Sequence, residues 1–187
     1  RKILTGTLGG IEKTEAGNLI AVIYYKEFRA VIPITEMMIN LLQDEAHDYG
    51  SLSLRQNKVL NNMLGCEIDF IIKGLDTKTR SIVASRKEAM LKKRQIFYLD
   101  QDVSGQTKVY VDRIVQARVI AVAEKVVRTE IFGIETSIPA RDLSFDWLGD
   151  ARERFHVGEH ILVRILNLFK IIKCNLRLNF NLWIFCN

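Results

Sequence analysis

Proline is nearly missing from this chain: there are two in 187 residues, Pro33 and Pro139. No Pro- or Gly-rich tract demands a disordered segment, and the apolar content is that of a folded protein. Cysteine is scarce as well. Cys66, Cys174 and Cys186 are odd in number and too scattered for a zinc ribbon or a disulfide framework, which predicts free thiols in a reducing cytoplasm. No uncharged apolar run reaches the roughly eighteen residues of a membrane span, and no basic stretch leads into an apolar one at the start, so neither a span nor a secretory leader is indicated. Because the chain opens at Arg1 and runs at once into the strand-like "ILTGTLGGIE", it reads as a piece of a longer protein.

Catalytic signatures are lacking too. There is no Walker loop, G-x-S-x-G elbow or dinucleotide fingerprint, and the glycines of "GTLGG" lie within a strand pattern and open no helix. Glu67, Asp69 and Asp76 read as ordinary outward carboxylates of an alternating strand. His156 and His160 flank Gly158 at a loop-to-strand boundary without an H-E-x-x-H pattern, and His47 sits in a polar loop. The chain is therefore read as non-enzymatic, with no cofactor and no metal.

What is present is 48% hydrophobic and 26% charged residues, with a formal charge of +5 that favours an anionic partner. The two prolines stand in matching phrases, "AVIPITEM" (30–37) and "TSIPARDL" (136–143). Downstream of each comes a glycine-led alternating segment, "GCEIDFII" from Gly65 and "GEHILVRI" from Gly158. Superposing the glycines lays Ile68, Phe70 and Ile72 on Ile161, Val163 and Ile165, a period of two facing a core. Upstream of each proline lie two more strand patterns, "ILTGTLGGIE" and "NLIAVIYY" in the first half, "IVQARVIAVA" and "VVRTEIF" in the second. The chain says nearly the same thing twice. Proline has no N–H for a ladder, so both phrases mark a strand exit or an edge.

The connection from proline to glycine is longer in the first half, where Ser53 and Gln56 give an S-x-x-Q cap, Leu60 and Leu64 lie four apart and Gly65 ends the turn. This predicts a helix over about 53–64. The second connection, around Trp147, predicts a single irregular turn. A fifth strand, "RSIVAS", follows the turn "DTKT" and hands over at Ser85, which with Glu88 makes an S-x-x-E capping box, to a basic helix carrying Arg86, Lys87, Lys92, Lys93 and Arg94. That helix is read as a partly docked connector whose polar residues face solvent. Its cations are either a phosphate-binding rim or a solvated face. The predicted architecture is mainly β: two tandem five-stranded OB-type Greek-key barrels, over 1–84 and 109–187, joined by a basic helix and loop over 85–108. After Glu159 no acidic residue occurs, and the last stretch, "FKIIKCNLRLNFNLWIFCN", is either a fifth strand or an altered tail.

These phrases carry a resemblance. "AVIPITEM", "LGCEIDFIIKGLDTKTRSIVASRK" and, more loosely, "TSIPARDL" and "VGEHILVRIL" resemble the S1-type RNA-binding domain, the OB-fold repeat of bacterial ribosomal protein S1 and its relatives, over roughly residues 3–170. The resemblance implies single-stranded RNA, messenger or ribosomal, held on the face of the second and third strands by stacked aromatics and a basic surround, in bacterial translation or RNA metabolism, with the 30S ribosomal subunit as a further partner. The family's stacking positions fall here on Leu19, Val22 and Pro33 in the first unit and on Lys125, Arg128 and Pro139 in the second. Binding is then expected to depend mainly on phosphate contacts, for which Lys125 and Arg128, with Arg118 or Arg141, are the candidates, joined by Arg86, which matches a family arginine, and by Lys87. Tyr24, Tyr25, Phe28 and Phe132 are either substitute stacking groups or core aromatics, and Lys26 and Arg29 read as solvated cations near a turn. The alternative reading is a protein–protein adaptor that uses the first barrel, its RNA surface vestigial.

Overall fold

A computed structural model of the chain describes residues 1–37, 49–77, 81–144 and 148–168, with the side chains of 49–53 left aside. The chain divides into two compact units, Arg1–Met90 and Leu91–Asn187. Both are built mainly of β-strands. No helix among the described residues is long and apolar enough to cross a membrane. His47, Trp147 and the stretch after Leu168, on which the fifth strand of the second unit was expected, lie outside the described residues.

In the first unit β1 (Leu4–Lys13), β2 (Leu19–Tyr25), β3 (Phe28–Pro33), β4 (Glu67–Asp76) and β5 (Ser81–Ser85) form a closed barrel in the order β1-β2-β3-β5-β4. A 3₁₀ turn follows Pro33 at Ile34–Glu36, and α1 (Tyr49–Asn62) lies between β3 and β4. Alternation supplies the core: Leu8, Ala21, Ile23, Ala30, Ile32, Ile68 and Phe70 are all fully enclosed, with Leu60 and Met63 joining from the end of α1. Two sequence readings need correction. The helix begins at Tyr49, so Ser53 is inside it and is not its cap. Ile72, expected in the core, is exposed next to the point where the β4–β5 pairing shifts register, between Ile72 and Gly74, while Ile71 is buried.

In the second unit β6 (Ile114–Ala123), β7 (Val126–Ile131), β8 (Ile134–Pro139) and β9 (His160–Arg164) form a sheet ordered β8-β7-β6-β9. Its core is made by Val115, Ala117, Val119, Val127, Ile131, Ile138, Val163 and Ile165, with Leu143 and Phe155 from the loops.

The repeat read from the sequence is present down to single hydrogen bonds. Ile20 pairs with Pro33 as Val126 pairs with Pro139. A register shift at Leu8/Gly10 in β1 has its counterpart at Val119/Ala121 in β6. Gly65 N–H donates to Leu8 O (2.8 Å) and Leu8 N–H to Cys66 O (2.9 Å); Gly158 N–H donates to Val119 O (2.8 Å) and Val119 N–H to Glu159 O (2.8 Å). Both glycines sit at positive φ, +83° and +92°, where a side chain is strained.

Helix α2 (Arg86–Arg94) follows β5 directly, and the boundary between the two units falls inside it, so the residues read as a connector, 85–108, are divided between them. The Ser85 cap forms, since Glu88 N–H donates to Ser85 Oγ at 3.0 Å. The Glu88 carboxylate does not close the box. It takes Lys73 instead, and that hydrogen bond holds its pKa below the usual value. Arg86 and Arg94 depart from the expectation of solvent-facing polar groups. Arg86 is 0% exposed and donates to Met37 O at 2.8 Å, just past the 3₁₀ turn that follows Pro33. Arg94, 6% exposed, donates to Gly133 O at 2.6 Å. Beyond α2 a π-helical turn, Gln95–Leu99, places Tyr98 so that its hydroxyl donates to Ile131 O (2.7 Å), and burial pushes the phenol's pKa up. Phe97 stacks on Phe132, ring centroids 3.9 Å apart. In the second unit these contacts cover the tight β7–β8 turn, where Phe132 and Gly133 both have positive φ as a type I′ hairpin requires.

If the two glycine turns are equivalent, Gly65→Ala and Gly158→Ala should each lower stability by about 1–2 kcal/mol, because alanine is forced into the left-handed region. Chemical denaturation of the two variants measures this, and unequal losses would show that the turns differ in the strain they tolerate.

Candidate nucleic-acid interface

The outward face of β1–β3 is the surface to test first. On β2 Leu19, Ala21 and Ile23 are buried, while Ile20, Val22 and Tyr24 share the other phase, opposite Pro33, Val31 and Arg29 of β3, and of these three Val22 is covered and Tyr24 is exposed. The family's stacking positions have lost more than their aromatic rings, for Leu19 is 4% and Val22 only 1% exposed.

Tyr24, by contrast, is 56% exposed. Its ring edge lies in the space above Gly9 of β1: a Cβ built on Gly9 would stand 2.0 Å from Tyr24 Cε2 and 2.2 Å from Cδ2. Arg29, opposite Tyr24, is not simply solvated. It donates through Nη2 to Glu12 Oε2 (2.5 Å) and through Nη1 to Ser81 Oγ (3.2 Å), which ties β3 to both β1 and β5. Phe28 is 58% exposed but pairs with Tyr25, one residue out of phase with Tyr24, so the two exposed aromatics lie on opposite sides of the β2–β3 ribbon. Tyr25 is a packing residue, meeting Phe70 edge-to-face at 5.8 Å, with the exposed Lys26 ammonium 5.5 Å from its ring centroid.

The second unit carries charge at the matching positions. Glu130 of β7 stands where Tyr24 stands in β2, with Arg118 of β6 opposite it on one side and Glu135 of β8 on the other; Arg118 in turn faces His160 of β9. Arg128 Nη2 meets Glu135 Oε2 at 2.7 Å, with the arginine side chain 29% and the glutamate side chain 6% exposed. Glu130 is 5% exposed. Two arginines and two largely covered glutamates therefore share one outward face, and its charge is balanced. Arg128 is thus engaged by a glutamate of the neighbouring strand β8, and Arg118 is half-buried opposite Glu130.

The remaining candidates are dispersed. Lys125 is exposed, but its ammonium donates to Gly149 O (2.7 Å) and lies 3.2 Å from Glu124 Oε1. Nearby Asp150 accepts from Arg152, whose hydrogen bonds hold the aspartate pKa down at about 2. Arg141, with its side chain 86% exposed, lies on the 3₁₀ turn after Pro139. Lys87 is exposed on α2, next to the buried Arg86. Asp69, expected to point outward, is 2% exposed and accepts from Thr5 Oγ1 at 2.6 Å across the β1–β4 pair. His156 Nδ1 is 3.8 Å from Glu159 Oε2, while His160 faces Arg118 on the sheet.

Sequence reasoning missed the Gly9–Tyr24 contact and the glutamates at 130 and 135. The one available signal was that the tyrosine and the glutamate occupy the same place in the two repeats, 9 and 9 residues before Pro33 and Pro139.

Arg128→Met should cost about 1–3 kcal/mol, since it strips a covered carboxylate of a charged partner. Adding Glu135→Leu to it should recover much of the loss, and a double-mutant cycle by chemical denaturation reads the coupling. No family model matches the chain and no curated protein matches it, so what these two faces do is read from their own geometry.

Proposed function

We propose that the chain is a tandem pair of OB-type units of the S1 kind that binds single-stranded RNA, and that the first barrel, through the outer face of β1–β3, is the binding unit. Several features support the OB reading: five antiparallel-type strands closed in the order β1-β2-β3-β5-β4, a helix between the third and fourth strands, and a parallel contact between β3 and β5. The observation that carries the RNA reading is Tyr24, an aromatic ring 56% exposed on the strand from which such barrels present stacking groups. An exposed aromatic ring on a strand face is a ready stacking platform, and an unstacked base offers a matching π-surface.

Affinity on this reading comes from stacking first and from phosphate contacts second. Exposed Lys13 and Lys26 lie at the two ends of β2 and supply modest counter-charge. Residues 1–90 hold 12 lysines and arginines against 11 acidic residues, so the first unit has no large positive field to offer a polyanion. The RNA is thus a weakly selected, single-stranded messenger or ribosomal segment in the bacterial cytoplasm. It is not a duplex gripped along its backbone.

A second reading, a protein–protein adaptor, is favoured by a different surface. The Arg118, Arg128, Glu130 and Glu135 face of the second unit carries both signs of charge in a fixed array, which suits a protein surface of complementary pattern, such as one on the 30S subunit, better than it suits phosphates.

Fluorescence anisotropy with a labelled poly-pyrimidine RNA tests the proposal. Binding should fall with salt at a shallow logarithmic slope of about −1 to −2, as expected for two phosphate contacts. Tyr24→Ala should weaken it about tenfold, whereas the exposed-site changes Lys125→Glu and Arg141→Glu should have little effect. Loss of binding in the latter pair with none in Tyr24→Ala would move the RNA to the second unit. No binding even at low salt would leave the adaptor reading standing.

A further inference from the structure

We propose that Gly9 is a positioning residue: its missing side chain seats the edge of Tyr24, and the seated ring forms a subsite for one unstacked nucleobase. This rests on the RNA reading given above and adds to it a residue, a stoichiometry of one base, and a reason why only one unit has the subsite.

The backbone does not explain this glycine. Gly17 and Gly65 have positive φ and open space around the missing Cβ, whereas Gly9 has neither. What occupies its space is a side chain: the Tyr24 ring, at 2.0 Å, 2.2 Å and 3.3 Å from the position a Cβ would take. Gly6, earlier in the same strand, is a different case, since a Cβ there would meet the Tyr24 carbonyl oxygen at 2.6 Å and so the glycine serves strand packing. At Gly9 any side chain would have to push the ring away. Tyr24 is free to be pushed, because more than half of it is already in solvent.

The second unit supplies the contrast. The residue matching Gly9, between the two ends of the register shift, is Ile120, and the residue matching Tyr24 is Glu130. Ile120 is 1% exposed and leaves no seat, and the strand opposite offers a carboxylate where the first unit has a ring. Glycine and tyrosine thus occur together in one repeat and are both replaced in the other. Arg29 completes the surroundings. It lies directly opposite Tyr24, and its guanidinium is fixed by Glu12 and Ser81, so the ring's cross-strand neighbour is held in place as well. A ring located by its edge loses little conformational freedom when a base stacks on it, which is how such seating raises affinity. The contact uses π-surface only, so the phenol hydroxyl is dispensable and the subsite is tolerant of base identity.

The experiment uses the full chain and a labelled oligouridylate. Tyr24→Ala and Gly9→Ala should each weaken binding about tenfold, Tyr24→Phe should bind as the parent does, and the Gly9→Ala/Tyr24→Ala double variant should be no worse than Tyr24→Ala alone. Tyr24→Trp should report the base directly through quenching of its fluorescence, and adding Gly9→Ala should abolish the quench. Thermal melting should place Gly9→Ala close to the parent, because the displaced ring moves into solvent. If Gly9→Ala binds normally while Tyr24→Ala is weak, the seat is disproved and the RNA reading survives. Additive losses in the double variant, or a collapse of its melting temperature, would assign Gly9 to the fold and overturn the positioning role. If the parent chain leaves oligouridylate unbound at low salt, the RNA reading itself fails and the subsite with it.

Discussion

Each unit depends on its first strand serving two partners. β1 pairs with β4 through Leu4–Thr7 and with β2 from Thr7 to Lys13, and β6 divides itself in the same way between β9 and β7. A single flat strand cannot do this. The register shift at Leu8/Gly10, repeated at Val119/Ala121, bends the strand, and the paired backbone hydrogen bonds from Gly65–Cys66 or Gly158–Glu159 fix the bend at Leu8 or Val119. The glycine's left-handed conformation turns the chain between these two hydrogen bonds. The core, the strand order and the exposed faces follow from this corner.

The same corner explains how β1–β3 and β6–β8, alike in register, come to offer different surfaces. The bulge leaves one residue, Gly9 or Ile120, beside the outward side of the second strand, and its size decides what the neighbouring position can hold. With glycine there, a tyrosine lays its edge across the bend. With isoleucine there, Arg118, Arg128, Glu130 and Glu135 form a balanced array in which the covered carboxylates are tolerable only because cations stand beside them. The alternation of the strands is common to both units, so the divergence lies in a few side chains on one face.

Much of the frame was legible in the sequence because its signals are local. A period of two, the two prolines at strand exits, the glycines at Gly65 and Gly158 and the Ser85 cap are each set by a residue's own backbone preferences or those of its near neighbours. Hence the described strands lie within a residue or two of the segments read as strands, and the repeat is found where the Pro33/Pro139 and Gly65/Gly158 pairs put it. The start of α1 differs from the sequence expectation, since the S-x-x-Q motif at Ser53 is a local signal that here lies inside the helix.

Sequence alone determined the two-fold repetition, the mainly β character and the alternation that builds each core, since these are written in spacing along the chain. Only the tertiary structure decided which charged and aromatic residues meet water. Arg86 is enclosed against Met37 from 49 positions away, Asp69 takes a hydroxyl from 64 positions away, and Arg29 is held between Glu12 and Ser81. A cation's charge belongs to its residue type, but its availability belongs to the partners that folding brings beside it, and those partners lie on other strands.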